Sequence, residues 1–271
     1  MSIRLIVLSL CLFVLPFCAH AQTRAVDVEL VIAVDVSGSM DYGELQIQRR
    51  GYVEAFRSPE VHEAISKGLL GAVAVMYVEW ARNDLKRVIV PWTLLETPAD
   101  ALSFAGRLEA AELGNMRNTS ITGAINYGVE QLDTNSFDGS RRVLDISGDG
   151  PNNQGGLVTL ARDEAVARGV IINGLPLVTE PWREQLIFGE SGDLDRYFRA
   201  CVIGGPGSFV IAVKNWEEFP DAVRRKLVLE LAGPMPLESW VQRAQFLELP
   251  SVNMDCLIGE KRRRERERGD R

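Results

Sequence analysis

Three short stretches of this chain carry oxygen-bearing side chains where strands are expected to end or helices to begin. The first is Asp35-Val36-Ser37-Gly38-Ser39-Met40, the second Asn118-Thr119-Ser120-Ile121 and the third Ser147-Gly148-Asp149-Gly150. The D-x-S-x-S spacing turns the first stretch back on itself. Asp35 closes the strand before it, both hydroxyls can face one point, and Gly38 lets the backbone bend. Thr119 adds a third hydroxyl and Asp149 a second carboxylate. These are hard oxygen donors, suited to Mg²⁺, Mn²⁺ or Ca²⁺ rather than zinc. Such a set leaves room for waters and for a carboxylate from another molecule. Each stretch alone has a plainer reading: a turn with a helix N-cap for Asp35-x-Ser37-Gly38-Ser39, a cap or core hydroxyl for Thr119, a turn for Asp149. Their order and strand context together favour a metal.

The elements around them must deliver these loops to one place. Val26–Val36 (VDVELVIAVDV) has the length and Val/Ile content of a central strand. A helix is expected from Tyr42 to Arg57, ended by Ser58-Pro59, and a short one over Glu60–Lys67. Leu70–Trp80 reads as the next buried strand and Arg87–Trp92 as another, joined by a link short enough for an antiparallel hairpin. Helical spacing follows at Pro98–Ala111 and Ser120–Leu132, then a short strand at Val143–Ser147 ending in SGDGPNNQGG. Beyond it come a helix (Leu157–Arg168), a strand (Val170–Val178), a helix (Asp193–Ala200), a strand (Ser208–Val213) and a helix (Trp216–Leu231). This alternation predicts an α/β domain, doubly wound, with a mostly parallel central sheet, helices on both faces and one antiparallel edge strand. Ligands of such sheets collect outside the carboxyl ends of the strands, where the three stretches fall. Past Gly233-Pro234, Leu237–Glu248 has the spacing of one more amphipathic helix.

Composition narrows the function. At 46% hydrophobic and 25% charged, with a net charge of −7, the chain is globular and lacks the basic excess of a nucleic-acid binder. Two histidines make a multi-histidine zinc or copper site implausible. No phosphate loop of the G-x-x-x-x-G-K-[ST] type occurs, and Gly204-Gly205-Pro206-Gly207 lacks the lysine.

The two ends read as distinct from the domain. Arg4, an apolar stretch from Ile3 to Phe17, and Ala19-His20-Ala21 make a signal peptide cut after Ala21, implying export to the periplasm or medium. The apolar stretch is shorter than the roughly 20 residues of a membrane span, and no later segment is long and apolar enough to be one. Export leaves His62, expected at the surface, as the sole histidine, and Cys201 and Cys256 as the sole cysteines. In an oxidising compartment these two are a candidate disulfide worth about 4 kcal/mol by chain entropy; two unpaired buried thiols are the alternative. Residues 22–232 form the expected domain, 233–259 a helical extension and 260–271 a charged tail. That tail holds seven basic and four acidic residues, so the body from Gln22 to Gly259 carries −11. It reads as a frayed helix or disordered end, or else as a basic tether to anionic lipid or an acidic partner.

VIAVDVSGSM, Asn118–Ile125 and VLDISGDG resemble the three metal-site motifs of the von Willebrand factor A-type (VWA) domain, over roughly Val26–Leu231. The resemblance implies a metal-ion-dependent adhesion site (MIDAS). Ser37, Ser39 and Thr119 would ligate the ion directly, Asp35 and Asp149 directly or through water, with Mg²⁺ the leading ion. One departure is visible: common A-type domains carry Thr-Asp-Gly in the third motif, where this chain has Gly148-Asp149-Gly150. More narrowly, ISGDGPNN, CVIGGPG and KLVLELA are similar to an exported bacterial family of such domains with no assigned function. The expected role is protein–protein interaction, with a partner's Asp or Glu completing the metal shell. A metal-assisted hydrolase of the cell envelope and a structural domain with a vestigial site are the alternatives; the hydrolase lacks a convincing base or nucleophile.

Overall fold

The run Val26–Asp35 is buried throughout and forms the middle of the sheet, flanked on both sides by parallel partners. The computed structural model describes residues 23–114, 116, 118–189, 193–232 and 254–269. Its strands are β1 (Arg24–Asp35), β2 (Val73–Trp80), β3 (Lys86–Leu95), β4 (Phe137–Gly148) and β5 (Val170–Pro176). Its helices are α1 (Tyr42–Arg57), α2 (Pro59–Ser66), α3 (Pro98–Ala110), α4 (Ile121–Thr134), α5 (Val158–Ala167), α6 (Pro181–Phe188), α7 (Leu194–Tyr197), α8 (Phe219–Leu231) and α9 (Ile258–Gly269). A π-helical turn, Phe198–Val202, continues α7. The signal peptide and the helix expected at Leu237–Glu248 lie outside the described residues.

The sheet order is β3-β2-β1-β4-β5. All pairs are parallel except β2 with β3, which forms the expected antiparallel edge. Side chains of β1 alternate between two cores. Val28, Leu30, Ile32 and Val34 face α1, α2, α3 and α8, whereas Val31 and Ala33 face α4, α5 and the π-helical turn. The chain leaves β1 for β2 on one side and reaches β4 on the other, so the strand order reverses between β1 and β4. That is where a doubly wound sheet opens a crevice. The register sets Val34 beside Ser147, which brings Asp35 and Asp149 out of the sheet next to each other.

Two strands differ from the sequence expectation. β4 starts at Phe137, six residues ahead of Val143, because the first half of β1 takes it as a partner: Arg24 pairs with Phe137 and Val26 with Gly139. The turn-forming types Asp138-Gly139-Ser140 are overridden by that ladder. Conversely, Ser208–Val213 makes only isolated bridges to the β5 edge, at Gly174–Val210 and Leu177–Val213. Gly174 N donates to Phe209 O, Ile211 N to Gly174 O and Val213 N to Pro176 O, but Pro176 has no N–H to continue the ladder.

Of the two readings of the charged tail, its described part takes the helical one. Ile258–Gly269 is a helix. Ion pairs between Arg262 and Glu265 (3.2 Å) and between Arg263 and Glu267 (2.8 Å) support it at helical spacing. Cys201 in the π-helical turn is bonded to Cys256 just ahead of α9, with 5.6 Å between Cα atoms. Cys256→Ser is expected to lower stability by roughly 2–4 kcal/mol and to release α9 first. Limited trypsin digestion checks this: α9 should be cleaved well before the domain, and an unchanged pattern would show that the helix docks without the bond. No helix among the described residues is long and apolar enough to cross a membrane.

Candidate metal centre

Asp35 ends β1 fully buried. Its Oδ1 accepts the Ser37 N–H (2.7 Å), which folds the loop back, and Gln48 of α1 holds its backbone carbonyl (Nε2–O 2.9 Å). A capping box between Asp41 and Glu44 then starts α1 and fixes how far the loop reaches. Ser37 Oγ and Ser39 Oγ lie 3.0 Å apart, and Ser39 Oγ donates to Asp149 Oδ1 at 2.8 Å. Four of the five expected residues are thus joined in one chain of contacts from Asp35 to Asp149.

Thr119 arrives from the other side. Met116 N donates to Val36 O (2.9 Å), Ser120 N to Ala81 O (2.7 Å) and Asn153 N to Thr119 O (3.0 Å). Asn118, at φ 67°, makes the left-handed step that Asn tolerates. Upstream, buried Glu79 pairs with Arg49 and with Arg87 (2.7 Å), and these arginines hold the carbonyls of Ala111 (3.1 Å) and Glu112 (2.6 Å). Ser39, Thr119 and Asp149 all line one cleft of about 890 Å³. Asp35 and Ser37 are buried and take no part in its lining.

Burial and neighbouring charge act on both carboxylates of the centre. Burial holds the Asp35 carboxyl well above the usual carboxylate range, and the Asp149 charge pushes the same way. Burial also raises Asp149, opposed by Ser39 and Arg183. Asp35 Oδ2 is buried with no hydrogen-bond partner, a costly state for a carboxylate oxygen. Gly148 belongs to the same spot: a Cβ there would stand 3.2 Å from Asp35 Oδ2 and 3.6 Å from the Trp80 ring. A side chain at this position would crowd the Asp35 carboxylate, while the indole stands at ordinary van der Waals distance. Among the described residues no three His, Cys, Asp or Glu side chains gather as a metal cluster, so any ion here relies on the hydroxyls.

Two contributors were not legible as site residues. Arg183 of α6 donates to Asp149 Oδ2 (2.6 Å) and to Ser39 O (3.0 Å). The sequence pattern places no helix there, although Pro181 at its first turn is a usable start signal. The second is α9, whose Arg262, Arg263 and Arg266 line the same cleft. Asn152, fully buried, links the parts: its Oδ1 accepts Thr122 N (3.1 Å) and its Nδ2 donates to Glu260 Oε1 (2.7 Å). Arg183 places a fixed positive charge on a candidate ligand. Arg183→Ala is therefore expected to tighten divalent-ion binding by about tenfold, well within the Coulomb energy of charges some 4 Å apart at a protein surface. Calorimetric titration checks it, and weaker binding in the variant would show that Arg183 serves chiefly to orient Asp149.

The profile of a family described as "Protein of unknown function (DUF1194)" matches residues 25–235. The chain belongs to DUF1194. A search of curated proteins finds no match to it. Among solved structures, the DUF1194 chain is similar to the pilus adhesin SpaC from Lactobacillus rhamnosus GG, with 11% identity and a TM-score of 0.55 over 78% of this chain and 31% of that one. Proximal thread matrix protein 1 from the mussel byssus, in a structure with a zinc-occupied MIDAS motif, aligns at 16% identity and TM-score 0.52, covering 77% of this chain and 48% of its own. A von Willebrand factor type A structure from Catenulispora acidiphila aligns at 16% identity and TM-score 0.48, covering 76% and 43%. The DUF1194 chain spans about half or less of the length of each. At these identities the likeness to the first two is one of fold alone, a fold that in the mussel protein carries a MIDAS motif.

Proposed function

We propose that this DUF1194 chain is an exported binding module that holds one divalent cation at a MIDAS-type centre and engages a protein partner through it. The observation that carries this reading is Asp35 Oδ2, buried and unpartnered beside a second carboxylate and a set of hydroxyls. Asp35, Ser37, Ser39, Thr119 and Asp149 would hold the ion, with Mg²⁺ the best match to hard oxygen donors that leave space for water. The bound ion would supply local positive charge and an open position for a carboxylate of the partner, offsetting the acidic body. In this reading residues 1–21 are a signal peptide, the Cys201–Cys256 bond suits the compartment reached, and the chain is not an enzyme. His62 sits on α2 with Nε2 2.8 Å from Phe56 O and does not line the cleft, so it offers no base beside the ion.

Titration of metal-free protein, residues 22–271, with Mg²⁺, Mn²⁺ and Ca²⁺ tests the proposal. Saturable binding of one ion, with a higher unfolding temperature, is expected. A folded protein that takes up none of the three would overturn the metal reading.

A further inference from the structure

The tail helix α9 belongs to the cleft as much as the metal loops do. It is held by the Cys201–Cys256 bond, by Asn152 on Glu260 and by Arg262 Nε on the Ile187 carbonyl (3.3 Å). Gly259 lies so close to the Asn152 carbonyl that no Cβ fits between them. So placed, α9 presents Arg262, Arg263 and Arg266 to the same space as Ser39, Thr119 and Asp149. Arg266 makes no ion pair with a described residue. The cleft lining counts four guanidinium groups, including Arg183, against the carboxylates of Asp149, Glu265 and Glu267, a net +1 in a chain whose formal net charge is −7. A divalent ion would make it more positive. The α6 wall is apolar as well as basic: Trp182 and Leu186 line the cleft with 63% and 67% of their surface exposed.

From this we infer that α9 is a specificity wall and that the partner segment is an acidic peptide. It would carry one carboxylate for the ion, further carboxylates for Arg262, Arg263 and Arg266, and an apolar side chain for Trp182 and Leu186. The inference rests on the metal reading for the first carboxylate only. Charge-assisted contacts to guanidinium groups give the rest, and the local field would draw an acidic segment to a protein that repels it at longer range.

The probe is a labelled hexapeptide of four glutamates and two leucines, titrated by fluorescence anisotropy into full mature protein with and without Mn²⁺. Wild type is compared with R262Q/R263Q/R266Q and with a charge-matched control, R196Q/R225Q/R264Q, whose arginines are exposed away from the cleft. Mn²⁺ binding alone is measured in parallel. The expected result is salt-sensitive peptide binding to the Mn²⁺-loaded protein, at least tenfold weaker in the α9 variant and little changed in the control, with Mn²⁺ affinity unchanged or tighter in both. Equal binding by the α9 variant, equal weakening in the control, or no binding by Mn²⁺-loaded wild type would overturn the inference. If wild type takes up no Mn²⁺, the metal reading fails on its own, and the wall is judged by metal-free peptide binding: loss in the α9 variant upholds it, and no binding by wild type ends it.

Discussion

Asp35→Asn is expected to remove the stabilisation by divalent ions while leaving the metal-free protein at least as stable as wild type at pH 7.5. Wild type at a hundredfold excess of ion over Kd should gain about 2.7 kcal/mol, roughly 5–10 °C in Tm for a domain of this size. The variant should gain nothing. The second half of the expectation is the diagnostic one. A buried residue replaced in a core usually costs stability, but Asp35 is held in the fold against burial and against the Asp149 charge. The amide keeps an oxygen to accept the Ser37 N–H, the bond now made by Oδ1, and removes a charge that burial and Asp149 both oppose. Thermal melts of both proteins, with and without Mg²⁺, settle it. A variant that still gains several degrees with ion would place the ion elsewhere. A variant much weaker than metal-free wild type would make Asp35 a structural residue whose charge the fold already satisfies.

The same residues show why the site loops were readable and their surroundings were not. Asp35, Ser37 and Ser39 are close in sequence, and their spacing is itself the geometry of a loop leaving a strand. Thr119 and Asp149 follow from chain order, because parallel strands deliver their carboxyl ends to one edge. Arg183 and α9 obey no such local rule. Arg183 reaches Asp149 across 34 positions, from a helix with a weak apolar pattern. α9 is brought back by a disulfide spanning 55 positions and by Asn152, and nothing in EKRRRERER says which surface it will meet. Its run of arginines and glutamates reads as a solvated end because charge alternation satisfies itself in water. Once docked, the same arginines become the wall of a cleft.

Lys226 gives the other large expected effect, and for a related reason it was invisible. Lys226 and Glu230 stand four apart on α8, the usual spacing of an exposed helical ion pair, yet both are fully buried with Asp145 of β4. Lys226 Nζ lies 2.8 Å from Asp145 Oδ1 and also pairs with Glu230, and Glu230 Oε1 accepts from Asn173 Nδ2 at 2.9 Å. One ammonium thus serves two buried carboxylates. Lys226→Met is expected to cost about 3–5 kcal/mol, because it leaves two carboxylates in the core without a counter-charge. Replacing all three by Asp145→Asn, Lys226→Met and Glu230→Gln should recover much of that loss. The pH dependence separates this from a simple packing defect. Burial, and then the Glu230 charge, push Asp145 up to about 7, opposed by Lys226. A folded-state value raised above the unfolded one means that the folded protein binds the extra proton. The stabilisation linked to it is complete below the unfolded carboxylate range and is lost as pH rises through about 7. Urea unfolding at pH 5 and pH 8 should therefore show wild type losing more stability than Asp145→Asn over that interval, and Lys226→Met should be hurt less at pH 5, where a proton can replace the missing ammonium. Equal losses at both pH values would mean that the space the lysine side chain fills matters more than its charge, which also stands over the Phe209 ring (5.3 Å from Nζ to its centre).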